Sequence, residues 1–163
     1  MNLLKVLCLI LLFTSCNLSN DQYYNLACSE EEKGNFVKAI EYLNLAIEIN
    51  PNDITALNNR GYDYMELKRF DLAGKDFQKM AEIDSTSPGA FYGLGRLNYE
   101  LEDYKKALFY FDIVIRLKGG VPVYLENEQN GNIKSINSMD VPINKVLQYK
   151  ILSEQAIQKN HYN

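Results

Sequence analysis

The chain has 163 residues, 47% hydrophobic and 23% charged, which suits one modest globular domain. Its formal net charge is -4 and no like-charge run exceeds Glu30-Glu31-Glu32, so neither a nucleic-acid surface nor a charged tail is indicated. Three cysteines (Cys8, Cys16, Cys28) and the single histidine, His161, offer neither a disulfide framework nor a metal-ligand spacing.

Residues 1–15 read as a signal peptide. Lys5 supplies the positive end, and Val6 to Phe13 is apolar but far short of the about 20 residues a membrane-spanning helix needs. The run Phe13-Thr14-Ser15-Cys16 resembles a bacterial lipobox, with Phe where Leu is commoner. That resemblance implies cleavage before Cys16 and a lipid on its thiol. Each buried methylene of such a lipid contributes about 0.8 kcal/mol, so several chains would hold the protein to a membrane. Residues 16–19 would be the tether. Asn17, rather than Asp, follows the cysteine, which favours an outer membrane where the host has one. The expected location is therefore a bacterial cell envelope.

Three segments of 34 residues then align: 20–53, 54–87 and 88–121. Tyr23, Leu57 and Phe91 open them. Ala27, Gly61 and Gly95 recur at one small position and Ala39, Ala73 and Ala107 at another. Phe36, Phe70 and Tyr104 stand three residues before those alanines, and Leu43, Phe77 and Phe111 four after. Apolar spacings of three and four make helix faces, and the small residues allow two helices to approach closely. Lys33-Gly34-Asn35, Lys68-Arg69 and Glu102-Asp103 supply turns, and Pro51 ends the first segment. The pattern predicts helices over 21–33, 36–49, 54–67, 70–83, 88–101 and 104–117. These residues and their period resemble tetratricopeptide (TPR) repeats. The resemblance implies an all-α, right-handed solenoid of three helix pairs over 20–121. It departs from the family at Arg60, a usual Leu position, and at Met80 and Val114, usually small.

Beyond the repeats, Gly119-Gly120 stops the last helix. Residues 122–140 form either a small hairpin about Asn130-Gly131 or a loop. Asp140 and Pro142 suit the start of a final helix over 141–159. Its apolar positions Ile143, Val146, Leu147, Ile151 and Ile157 would cap the third repeat, since an unstacked repeat exposes its apolar face. Residues 160–163 are a tail.

No catalytic set is present. His161 is the only imidazole and lies near the chain end, so no His-assisted Ser or Cys nucleophile exists. Gly93-Leu94-Gly95 lies within a predicted helix and lacks the preceding strand of a phosphate loop. Acidic neighbours leave Cys28 unactivated. We expect a non-enzyme without cofactor or metal.

The TPR resemblance implies a concave groove lined by the first helix of each repeat. Carried over by repeat position, the lining comprises Tyr24, Cys28 and Glu31; Asn58, Asn59, Tyr62 and Met65; and Tyr92, Arg96 and Tyr99. Tyrosines with one arginine suit a protein or peptide partner. One TPR subclass clamps a C-terminal carboxylate with Lys and Asn, Asn, and Lys and Arg on successive first helices. Only Asn59 matches; Tyr24 and Cys28, and Gly89 and Gly93, replace the others, so no such clamp is expected. The expected function is a membrane-anchored scaffold binding a partner through this groove. The alternative is a structural subunit of an envelope complex using the convex face or residues 119–140.

Overall fold

The computed structural model describes residues 18–118 and 143–161. The expected signal peptide (1–15), the expected lipidation at Cys16 and the expected hairpin or loop at 122–140 lie outside them. Among the described residues there are seven helices and no strand: α1 (Asn20–Glu32), α2 (Phe36–Ile49), α3 (Ile54–Glu66), α4 (Phe70–Ile83), α5 (Pro88–Glu100), α6 (Tyr104–Leu117) and α7 (Ile143–His161). The six repeat helices stand within one residue of their expected ends. Ser19 starts α1 with a capping box: its hydroxyl accepts from Gln22 N at 3.3 Å and Gln22 Oε1 accepts from Ser19 N at 2.8 Å. Asp53 caps α3 through Thr55 N and Ala56 N.

The turn inside each pair has one backbone solution. Gly34, Lys68 and Glu102, 34 residues apart, all take positive φ (75°, 58° and 61°). The following amide then reaches back five residues: Asn35 to Glu30 O, Arg69 to Tyr64 O and Asp103 to Asn98 O. This left-handed closure satisfies the last helical carbonyls. Only the first repeat uses glycine there.

Core packing explains the small residues. Phe77 and Phe111 are fully buried. A Cβ on Gly61 would stand 2.7 Å from the Phe77 ring, and one on Gly93 2.5 Å from it; a Cβ on Gly95 would stand 2.5 Å from Phe111. In the first repeat Ala27 shares its cluster with the smaller Leu43. Glycine thus faces phenylalanine and alanine faces leucine. Gly93 has a packing role against Phe77, consistent with its place in a helix.

Arg60, the departure from the repeat pattern, is paired. Its Nε and Nη2 donate to the two Asp76 oxygens at 2.8 and 2.6 Å, and Nη1 donates to Asn44 Oδ1 at 2.7 Å. One guanidinium therefore ties α3 to α4 and α2 by a bidentate pair.

α7 packs on α6 and α5, the same pairing by which α5 packs on α4 and α3. It occupies the place of a fourth first-helix. Val146 and Ser153 are fully buried, and Tyr149 between them stacks on Phe111 at 5.7 Å. Lys150 reaches Asp112 at 2.7 Å. Ile151, expected on the capping face, is instead exposed, as is Leu152. The buried stripe runs through 146, 149 and 153, and Ile151 lies off it because one helical position turns the chain by about 100°.

Candidate functional site

The first helices α1, α3 and α5 share one face of the molecule, and α7 continues it. At the α1–α3 end, four expected groove residues meet. Asn59 Nδ2 donates to Glu31 Oε1 and Oε2, both at 3.3 Å, approaches Tyr24 Oη at 3.4 Å and lies 4.0 Å from Cys28 Sγ. These spacings follow from the helix: positions 24, 28 and 31 form one stripe of α1, opposite Asn59 on α3.

One turn beyond Asn59 stands Asp63, which the sequence reading missed. It is 3% exposed, and no donor among the described residues reaches its Oδ2. Burial, reinforced by the charges of Glu31 and Glu66, pushes its carboxyl up to about 8. Glu31 is raised too, by burial, although Asn59 partly offsets it. The Cys28 thiol is raised chiefly by burial, so it stays protonated and a poor nucleophile. The i, i+4 spacing from Asn59 to Asp63 was the available signal; its burial was not.

At the α5 end the expected groove residues pack against α7, which buries Tyr92 and leaves Arg96 and Tyr99 only partly exposed. Tyr149 contacts Tyr92 and Tyr99 edge-on, with centroids at 6.3 and 5.1 Å. The Arg96 guanidinium lies between the Tyr62 and Tyr149 rings, 5.3 and 5.8 Å from their centroids, a double cation–π contact. Tyr62 packs edge-on against Phe77, and burial raises its hydroxyl. Burial also lifts Tyr92 to about 12, against the opposing charge of Arg96.

Three residues expected to line an open groove are corrected here. Asn58, Met65 and Tyr92 are 1%, 4% and 7% exposed. Met65 belongs to the Phe77 cluster, Tyr92 lies with Phe111 and Val146, and Asn58 Oδ1 is turned toward Gly89 of α5. Positions 58, 65 and 92 fall on the side of their helices that meets the second helix of the pair or the next helix along the face. Gly89 and Gly93, at the clamp positions, are also buried. Among the described residues no group of His, Cys, Asp or Glu could hold a metal. No described helix is long and apolar enough to cross a membrane.

Comparison with known proteins agrees with this architecture. Residues 21–53 match the family model described as tetratricopeptide repeat. The Hsp70-Hsp90 organizing protein of Triticum aestivum is 32% identical over 101 residues, 56% of this chain. The match spans only 17% of that protein's length. The Sgt2 TPR domain from Aspergillus fumigatus superposes with a TM-score of 0.68 at 18% identity, covering 88% of this chain and 82% of that one. The first TPR of Spaghetti (RPAP3), solved bound to HSP90 peptide SRMEEVD, gives 0.67 at 15% identity, covering 86% and 94%. The fold is a TPR solenoid: three helix pairs closed by a capping helix.

Proposed function

We propose that this protein is a non-catalytic scaffold that binds an extended segment of a protein partner along the face of α1 and α3. The observation that carries this reading is the convergence of Tyr24, Cys28 and Glu31 on Asn59, a polar, partly exposed cluster on the face that TPR solenoids offer to ligands. Tyrosine supplies contact area at low entropic cost, and Asn and Glu can bond a peptide backbone or side chain. The α5 end contributes less open surface, because α7 covers Tyr92 and meets Arg96 and Tyr99. The groove's carboxylates make an acidic tail such as SRMEEVD a poor ligand here, consistent with the missing clamp cations. A lipid on Cys16 would hold the scaffold at an envelope membrane.

Crosslinking from membranes, comparing wild type with Tyr24→Ala/Asn59→Ala, tests the reading. Loss of one specific partner with unchanged circular dichroism supports it. Retention of every partner would sink it and favour the second reading, a structural subunit contacting others through its second helices, where Val37 and Phe109 are 55% and 58% exposed. Cys16→Ala should move the protein from the membrane to the soluble fraction, and a variant that stays in the membrane fraction would overturn the lipid anchor.

A further inference from the structure

The Glu31–Asp63 corner carries two carboxylates and no cation. Asp63 is 3% exposed with Oδ2 unmatched by any described donor, and a buried acceptor left so costs about 1–3 kcal/mol, more if ionised. Native folds keep few such groups, and each calls for a reason. The nearby cations are engaged elsewhere. Lys33 and Lys38 pair with Glu30, Arg60 with Asp76 and Lys68 with Glu100. Arg96 lies on the Tyr62 and Tyr149 rings. No described cation is therefore left to pair with this corner, and in the free protein Asp63 is held neutral by its own proton; a cation from outside could replace that proton. The donor set suits no metal. Asn59 fills only part of the acceptor capacity of Glu31, since a carboxylate has about four lone-pair sites.

We propose that this corner is a specificity pocket for one arginine or lysine side chain of the bound partner segment. The cationic head would donate to the free lone pairs of Glu31 and, with a side-chain shift that opens it, to the buried Asp63 Oδ2, with Tyr24 flanking its stem. This deepens the groove reading and rests on it. It inverts the charge preference of a carboxylate clamp: the groove selects a basic residue within a segment rather than an acidic end. A planar guanidinium can span two carboxylates, which favours arginine over lysine.

The test uses the full-length protein on an array of 12-residue peptides. Each sequence is printed in four versions that differ at one position: Arg, Lys, citrulline or Glu. Binders should appear among the Arg and Lys versions, with citrulline, isosteric but neutral, at least about tenfold weaker and Glu absent. Asp63→Asn, which keeps shape and should fold at least as well, should bring the Arg-to-citrulline ratio to about one. Glu31→Gln should lower it. Equal binding of Arg and citrulline versions, still lost in Tyr24→Ala/Asn59→Ala, would overturn the pocket and leave the groove reading standing. No binding by any version would overturn both. A dimer in sedimentation that Asp63→Asn dissociates would make a second copy of this chain the occupant and overturn the peptide proposal.

Discussion

Phe77 sits where three helices leave room for a ring only because Gly61 and Gly93 lack a side chain. A methyl on Gly61 must displace the ring, so Gly61→Ala should cost about 1–3 kcal/mol despite alanine's better helix propensity. The first repeat already contains the solution, Ala27 with Leu43. Gly61→Ala should therefore cost much less in a Phe77→Leu background, although Phe77→Leu alone is destabilising. Urea unfolding of the four members of this cycle measures the coupling. Strict additivity would show that the close contact with the ring does not set the need for glycine. Asp63 makes a second prediction. Unfolded, its carboxyl ionises around 3.8; folded, it keeps its proton to about 8. Between these values the native state binds more protons than the unfolded, so stability falls as pH rises from about 4 to about 8. Asp63→Asn should remove that slope and stabilise by about 1–3 kcal/mol at pH 8, with solvent at the open side of the cluster keeping the gain modest. A melting temperature for Asp63→Asn that tracks wild type across this range would contradict the burial argument.

At the level of the helix, each pair depends on one left-handed residue. Lys68 and Glu102 carry side chains where the backbone favours glycine, at a cost of roughly 1–2 kcal/mol each. Lys68→Gly and Glu102→Gly should each raise stability by up to about 1 kcal/mol after the entropy that glycine adds to the unfolded chain, while Gly34→Lys should lower it. Chemical denaturation of the single variants checks this, and a loss in Lys68→Gly would place more weight on the Lys68–Glu100 contact than its exposure suggests. The helices were legible in the sequence because aromatic, small and alanine positions recur with one period, so each repeat checked the others. The groove was legible only in part. Tyr24, Cys28, Glu31 and Asn59 share helix stripes that spacing alone identifies. The burial of Asn58, Met65 and Tyr92 depends on which neighbour lies against them, and spacing along one helix does not carry that. Asp63 escaped for the same reason: an aspartate in the last turns of an amphipathic helix looks like solvated surface until α1 is laid beside it.

For the whole molecule, the end of the stack decides how the groove is shared. A solenoid's stability is a sum over repeats and the interfaces between neighbours, so the last repeat depends on what covers it. Here the cover is α7, and residues 119–142 before it break the repeat period, so no register pointed to Tyr149 as its anchor. That ring meets Tyr92, Tyr99, Phe111 and the Arg96 guanidinium together. Tyr149 is half-buried, so Tyr149→Ala should cost somewhat less than the roughly 3–5 kcal/mol of losing a fully buried aromatic side chain. The damage should be local. Amide exchange should rise most in α7 and α6, less in α5, and least in α1 and α2, because coupling passes only between neighbours. The α1–α3 cluster should keep its geometry, so partner binding there should survive at temperatures where the third repeat remains folded. If Tyr149→Ala instead abolished binding while leaving exchange in α1 and α3 unchanged, the surface around Tyr99 and Arg96 would belong to the ligand site, and α7 would be part of the groove rather than its lid.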